Sequence, residues 1–263
     1  MHPILLKLGK LEIYTYGFFI AVGFLVGIFL AKRQAAKEDI SPDMILDLGF
    51  YILIAAIIGS RIFYIGTNID FFMNNPIEMF KIWNGGLVFY GGFLGGLITG
   101  VLYLKKQKVS IWKTADILAP SLAIGHFFGR IGCLFAGCCY GKQCDLPWSI
   151  TFKNPQSLAP IGISLHPTQI YDAISNLIIF SFLLFFRRYK KFDGQIFWLY
   201  AMFYGIFRII VEAFRGDFRG VTILNTFSIS QVIGLSIGVI AIFMLNILSR
   251  DARPYVSTDK IKN

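Results

Sequence analysis

The chain has 263 residues, 56% of them hydrophobic, with 27 Phe and a mean hydropathy of +0.63. Apolar runs about as long as a bilayer is thick recur along its length, which marks an all-α, polytopic membrane protein and leaves no stretch for a soluble domain. The formal net charge of +10 reads as topology, because the basic residues gather in alternate loops, and nucleic acid is set aside as a partner.

Runs and breaks predict seven transmembrane helices, at about 14–31, 44–66, 85–104, 115–136, 169–186, 195–213 and 227–248. They make one domain over residues 1–249 with small extracytoplasmic loops, followed by a polar cytoplasmic tail at 250–263. The connections after the first, third and fifth spans, together with the tail, hold 15 Lys and Arg, whereas the opposite side holds 7. Cytoplasmic loops carry the basic excess, so the N-terminus is predicted outside and the C-terminus in the cytoplasm. Lys7 and Lys10 ahead of the first span imitate a signal peptide. Six further spans and the lack of a small-residue cleavage site keep it as a helix.

Three arginines interrupt the spans: Arg61 in IIGSRIFYIG, Arg130 in HFFGRIGCLFAG and Arg208 in FYGIFRIIVEAF. A guanidinium cannot shed its charge, and charge inside a membrane is costly, so these positions point to a site for something anionic. On the sixth span Tyr204, Arg208, Glu212 and Arg215 recur at intervals of four, four and three, along one helix face. Asp47, Asp116 and Asp172 read as lying near span ends, which would leave the inner site with unpaired positive charge.

On the fourth span His126 precedes Arg130 by one turn, so an imidazole and a guanidinium share a face. A base beside a fixed cation suits nucleophilic chemistry. A histidine that merely donates to a backbone carbonyl is the plainer alternative. His166, in LHPTQIYD just ahead of the fifth span, is either a catalyst or a helix cap, with Pro167 fixing the turn.

In GGLVFYGGFLGGLITG the glycines stand four apart, as close helix packing in lipid requires. Gly85, Gly86, Gly91 and Gly92, at the mouth of that span, could equally present bare backbone to a head group. Cys133, Cys138, Cys139 and Cys144 cluster in GCLFAGCCYGKQC. Free packing cysteines, a disulfide and a metal site are all open, although the spacing is not a standard zinc pattern.

Taken in order, these pieces resemble the bacterial prolipoprotein diacylglyceryl transferases over nearly the whole chain. Tyr16 and Gly17 match an early Tyr-Gly; Gly59, Arg61 and Ile62 a Gly-x-Arg-Ile; IWNGGLVFYGG a Gly-Gly box; Gly129 and Arg130 a motif that Gly141 closes; HPTQIYD and YGIFRIIVEAFR two more. The resemblance implies a multi-pass enzyme of the bacterial cytoplasmic (inner) membrane. Such an enzyme transfers diacylglyceryl from phosphatidylglycerol to the lipobox cysteine of a prolipoprotein signal peptide; no residue spacing in the chain indicates a metal or dissociable cofactor. Arg130 and Arg208 would hold the phosphate and stabilise the leaving group, Tyr16, Arg61 and Tyr204 would position the head group, and Glu212 would orient Arg208.

The chain departs from the pattern at several positions. Tyr90 stands where the family carries a histidine proposed as base, Cys133 and Ala136 where it carries asparagines, and Cys138 where it carries a glutamate. Tyr90 serves as base only if arginines lower its pKa considerably from about 10; otherwise His126 substitutes, or no protein base is used. A diverged paralogue that binds phospholipid or signal peptide without full activity is the alternative. An anion or lipid transporter would want inverted repeats and broken helices, which this sequence does not display.

Overall fold

The structure is a computed structural model and describes residues 1–8, 11–81, 85–217, 222–223 and 227–251. Helices dominate in chain order: α1 (Thr15–Ala35), α2 (Pro42–Thr67), the short α3 (Ile69–Asn74), α4 (Phe89–Lys106), α5 (Ile111–Ala136), α6 (Thr168–Phe186), α7 (Gln195–Ala213) and α8 (Ile229–Asp251). Each of the seven predicted spans falls on one of the long helices. The third begins at Phe89 rather than 85, because Gly85 and Gly86 adopt φ of +83° and +74°, a left-handed backbone that cannot continue a right-handed helix. Of the expected tail, Arg250 and Asp251 still belong to α8, and 252–263 lie outside the described residues.

Six of these helices are long and apolar enough to cross a membrane. Besides the short α3, the exception is α4, whose 18 residues include five glycines and end on Lys105 and Lys106. On α8, Leu235, Val239, Ile240, Ile242 and Phe243 are each more than 50% exposed. Such an apolar face is stable against lipid and not against water.

The chain is mostly helical, in keeping with the all-α expectation, and short strands are added among the described residues. Three two-stranded antiparallel ladders are present: β1 (Ile4–Leu8) with β2 (Leu11–Tyr14), β3 (Ile150–Thr151) with β4 (Ser164–Leu165), and β5 (Thr222–Ile223) with β6 (Phe227–Ser228). Strands of two to five residues are too short to show a period in the sequence.

Two compact units divide the chain: Met1–Ala31 with Ala115–Asn263, and Lys32–Thr114. In the first, the β1–β2 hairpin folds onto the start of α1, where the Thr15 N–H donates to Pro3 O at 2.9 Å and its hydroxyl donates to His2 O at 2.6 Å. Phe19 of α1 stacks on Phe135 of α5 at 5.4 Å. Ala119 and Ala123 of α5, Ile179 and Leu183 of α6, and Ile196 and Tyr200 of α7 form a shared core. Helix α8 meets α7 at glycine, since a Cβ on Gly205 would stand 2.5 Å from the Gly234 carbonyl oxygen.

Buried Asp116 of α5 caps α7 from outside that helix. It accepts from Gly194 N–H at 2.7 Å and Phe197 N–H at 2.9 Å, and Lys190 Nζ lies 3.0 Å away.

In the second unit Ser41 caps α2, accepting from the Met44 N–H, with Pro42 in the first turn. Helix α4 then packs backbone to backbone on α2. Added Cβ atoms on Gly92 and Gly95 would stand 3.0 Å from Ala56 O and 2.6 Å from Ala55 O.

Candidate active site

Charged residues of the first unit gather where α5, α6 and α7 meet. Arg130 Nε of α5 lies 2.9 Å from Asp172 Oδ2, in the second turn of α6. The same oxygen is 4.0 Å from Arg208 Nη1 of α7, so one carboxylate serves two guanidiniums. Arg208 Nη2 pairs with Glu212 Oε2 at 2.7 Å, one turn on, as their spacing predicts. Arg215 makes a bidentate pair with Asp217, both contacts at 2.8 Å, and its Nε comes within 3.9 Å of Glu212. Ser228 donates to the remaining Glu212 oxygen at 3.1 Å.

This arrangement corrects the expectation of unpaired positive charge. Arg130, Arg208 and Arg215 face Asp172, Glu212 and Asp217, a buried cation being tolerable when paired. Donor capacity still remains. Among the described residues, Arg208 Nη1 is buried without a hydrogen-bond partner and Arg130 is engaged only through Nε. The pairs therefore hold two guanidiniums in place and leave N–H groups for an anion.

His126 shares a 2.9 Å hydrogen bond with the Tyr200 hydroxyl through Nδ1, and Tyr204 lies beside its ring at 5.4 Å between centroids. Its partner is thus a side chain and not the backbone carbonyl of the plainer alternative, and the imidazole remains exposed. Tyr16, at the start of α1, packs on α5 at Gly132 and is 43% exposed.

His166 is placed differently from expectation. Pro167 occupies the N-cap of α6, while His166 Nδ1 meets the Tyr171 hydroxyl at 3.2 Å and its ring packs on Phe214 at 5.2 Å. Trp148 Nε1 donates to the same hydroxyl at 2.8 Å. His166 is a brace between loops, neither cap nor member of the arginine cluster. Gly141 is the point where three segments touch: its N–H donates to His166 O at 3.1 Å, and a Cβ there would stand 2.9 Å from Phe214 O. Its closeness of approach accounts for the glycine without a substrate contact.

The four cysteines are thiols, none in a disulfide. Hydrogen bonds with Cys133 and Cys138, and then Arg215, hold the Cys139 thiol below the ordinary thiol range.

In the second unit Arg61 receives a clear structural role. Its Nε donates to Met79 O at 3.0 Å, Nη1 to Gly85 O and Gly86 O at 2.7 and 3.3 Å, and Nη2 to Glu78 O and Lys81 O at 2.5 and 3.4 Å. Five donors meet five carbonyls, and the Tyr64 and Phe72 rings flank the group at 5.5 and 5.4 Å. No donor is left for a head group, so Arg61 frames the loop ahead of α4. Gly91 and Gly92 are likewise buried against α2, and an added Cβ on Gly86 would strike the Tyr64 ring. They are packing glycines. Gly85 is exposed with open space around it, whereas Ile82, Trp83 and Asn84 of its box lie outside the described residues. Tyr90 opens α4 at 57% exposure, with Phe89 as its ring neighbour at 5.8 Å.

Sequence reasoning missed Asp172, Tyr200 and Asp217 as parts of the site. Asp172 had a legible signal, being the carboxylate that closes HPTQIYD. Tyr200 also had one, standing one turn before Tyr204 on the polar stripe. Asp217 follows the end of α7 and no periodicity points to it.

Several apolar helices, with arginines and carboxylates paired among three of them, mark a multi-pass membrane protein with a buried charged cluster. A family model described as "Prolipoprotein diacylglyceryl transferase" matches residues 3–247. The chain belongs to that family. It is 41% identical over 248 residues to the phosphatidylglycerol–prolipoprotein diacylglyceryl transferase of Clostridium tetani, covering 94% of this chain and 98% of the relative. It is 32% identical to that of Geobacter sulfurreducens, covering 94% and 95%. To the transferase numbered 2 of Clostridium perfringens it is 35% identical, again covering 94% and 95%.

Proposed function

We propose that this protein is a phosphatidylglycerol–prolipoprotein diacylglyceryl transferase that acts on the lipobox cysteine of prolipoproteins in the bacterial cytoplasmic membrane. The observation that carries the reading is the Arg130–Asp172–Arg208 bracket: two guanidiniums on two helices, steadied by one carboxylate and retaining donors for a phosphate. The acceptor thiol loses its proton and its sulfur attacks the glycerol carbon. The carbon–oxygen bond to phosphate breaks and glycerol phosphate departs with the electron pair. Arg130 and Arg208 bind the oxygens on which that charge develops. His126 takes the thiol proton, held by Tyr200 and one turn from Arg130. Tyr16 and Tyr204 line the head group's position, and Glu212 fixes the fork of Arg208.

In this reading α4 crosses the bilayer as a seventh span, its glycines packed on α2 compensating for its polarity. The N-terminus is outside and the C-terminus cytoplasmic, in keeping with the basic loops. Both substrates are membrane-bound and enter between helices near the outer leaflet.

Purified protein incubated with phosphatidylglycerol and a lipobox peptide should add one diacylglyceryl group to the peptide, read by mass. Folded protein that binds phosphatidylglycerol and leaves the peptide unmodified would reject the assignment.

A further inference from the structure

Just beyond α5 the chain doubles back. Gly137 and Cys139 adopt left-handed backbone, with φ of +76° and +62°. Buried Gln169 and Thr168 pin the Cys138 and Cys139 carbonyls at 2.8 and 2.7 Å. The sulfur atoms of Cys133, Cys138 and Cys139 thereby come within 4.8 Å of one another. Adjacent residues in a helix or strand would direct their side chains apart; the turn at Cys139 is what brings both to Cys133.

We propose that Cys133, Cys138 and Cys139 form a three-thiolate site for a borderline-soft divalent cation, Zn²⁺ foremost, with a fourth coordination position left for an incoming ligand. Thiolates select such ions over hard ones. Sulfurs bound to one tetrahedral Zn²⁺ at about 2.3 Å stand about 3.8 Å apart, a small adjustment from the spacing present here. Three protein ligands and one open position distinguish reactive zinc sites from structural ones. The occupied set carries one net negative charge. Arg215 hydrogen-bonds Cys139, and Arg130 lies one turn ahead of Cys133 on α5, so guanidiniums face that anion.

Resting on the transferase reading, the fourth ligand is the acceptor thiol. A thiol bound to such an ion is deprotonated, and its proton reaches His126, two turns before Cys133 on α5, by way of water. Once the sulfur–carbon bond forms, the thioether is a weak ligand and leaves.

The test uses reduced full-length protein, stripped of metal in detergent and titrated with Co²⁺, whose thiolate charge-transfer absorption reports sulfur ligation. One equivalent should produce the band and Zn²⁺ should bleach it. Cys138→Ser and Cys139→Ser should each lose it, and Cys144→Ser should keep it. Zn²⁺ should also raise the unfolding temperature of the wild type and not that of Cys138→Ser, which separates ligand loss from misfolding. A lipobox peptide should shift the Co²⁺ spectrum, and a peptide with serine in place of that cysteine should not. Absence of the band in reduced wild type, its survival in the Cys138→Ser/Cys139→Ser double variant, or a disulfide within the trio in protein alkylated as isolated overturns the site. An unchanged spectrum with the lipobox peptide removes the thiol as fourth ligand. Transfer by metal-free protein would leave the enzyme assignment intact while excluding this role for the ion.

Discussion

Asp172 of α6 grips Arg130 of α5 by one edge, with Oδ2 at 2.9 Å from Nε. The edge contact orients the guanidinium and leaves its terminal nitrogens for a ligand. Asp172→Asn preserves shape and removes the charge that also faces Arg208 at 4.0 Å. Turnover in the peptide-mass assay should fall by about tenfold to a hundredfold, the scale seen when a supporting residue is lost. Undiminished turnover would take Asp172 out of the site.

Arg208→Lys keeps the charge and loses the planar fork that binds Glu212 through one nitrogen while offering another. Turnover should drop by more than about tenfold, the scale of a displaced electrostatic clamp. Wild-type rates in this variant would show that a point charge suffices there.

The base is tested by a ranking. His126→Gln should be severely impaired, because it removes the imidazole held at 2.9 Å by Tyr200. Tyr90→Phe should be mild, Tyr90 being an exposed residue at the mouth of α4. The reverse order of rates would make Tyr90 the base and His126 a packing residue.

Arg61→Lys replaces five donors by three on a point charge, so at least two of the carbonyls at 78–86 lose their partner. The variant should unfold at lower temperature and be nicked by protease ahead of α4. Normal stability combined with weakened phosphatidylglycerol binding would return Arg61 to the head-group site.

What could be read in advance followed from periodicity. Helix faces at 3.6 residues per turn put Arg208 with Glu212 and His126 with Arg130, and both pairings stand on common faces in the structure. Contacts between elements carried no such signal. Asp172 looked like a residue at a span end until α6 was packed beside α5, and the five partners of Arg61 are backbone carbonyls, which every residue possesses. The convergence of Cys133 with Cys138 and Cys139 needed a left-handed turn at a non-glycine residue, which spacing alone argues against.

The cap that Asp116 places on α7 acts at a distance. Helix α7 carries Tyr200, Tyr204, Arg208 and Glu212, yet its rotation about its own axis is clamped at the opposite end, where Asp116 holds the Gly194 and Phe197 N–H groups. Fourteen residues at 1.5 Å each set Arg208 about 21 Å from that clamp. A helix is stiff over such a length, so the azimuth of the Arg208 guanidinium is dictated by a carboxylate at the far end of α7. Loosening the anchor would turn the whole stripe out of alignment at once.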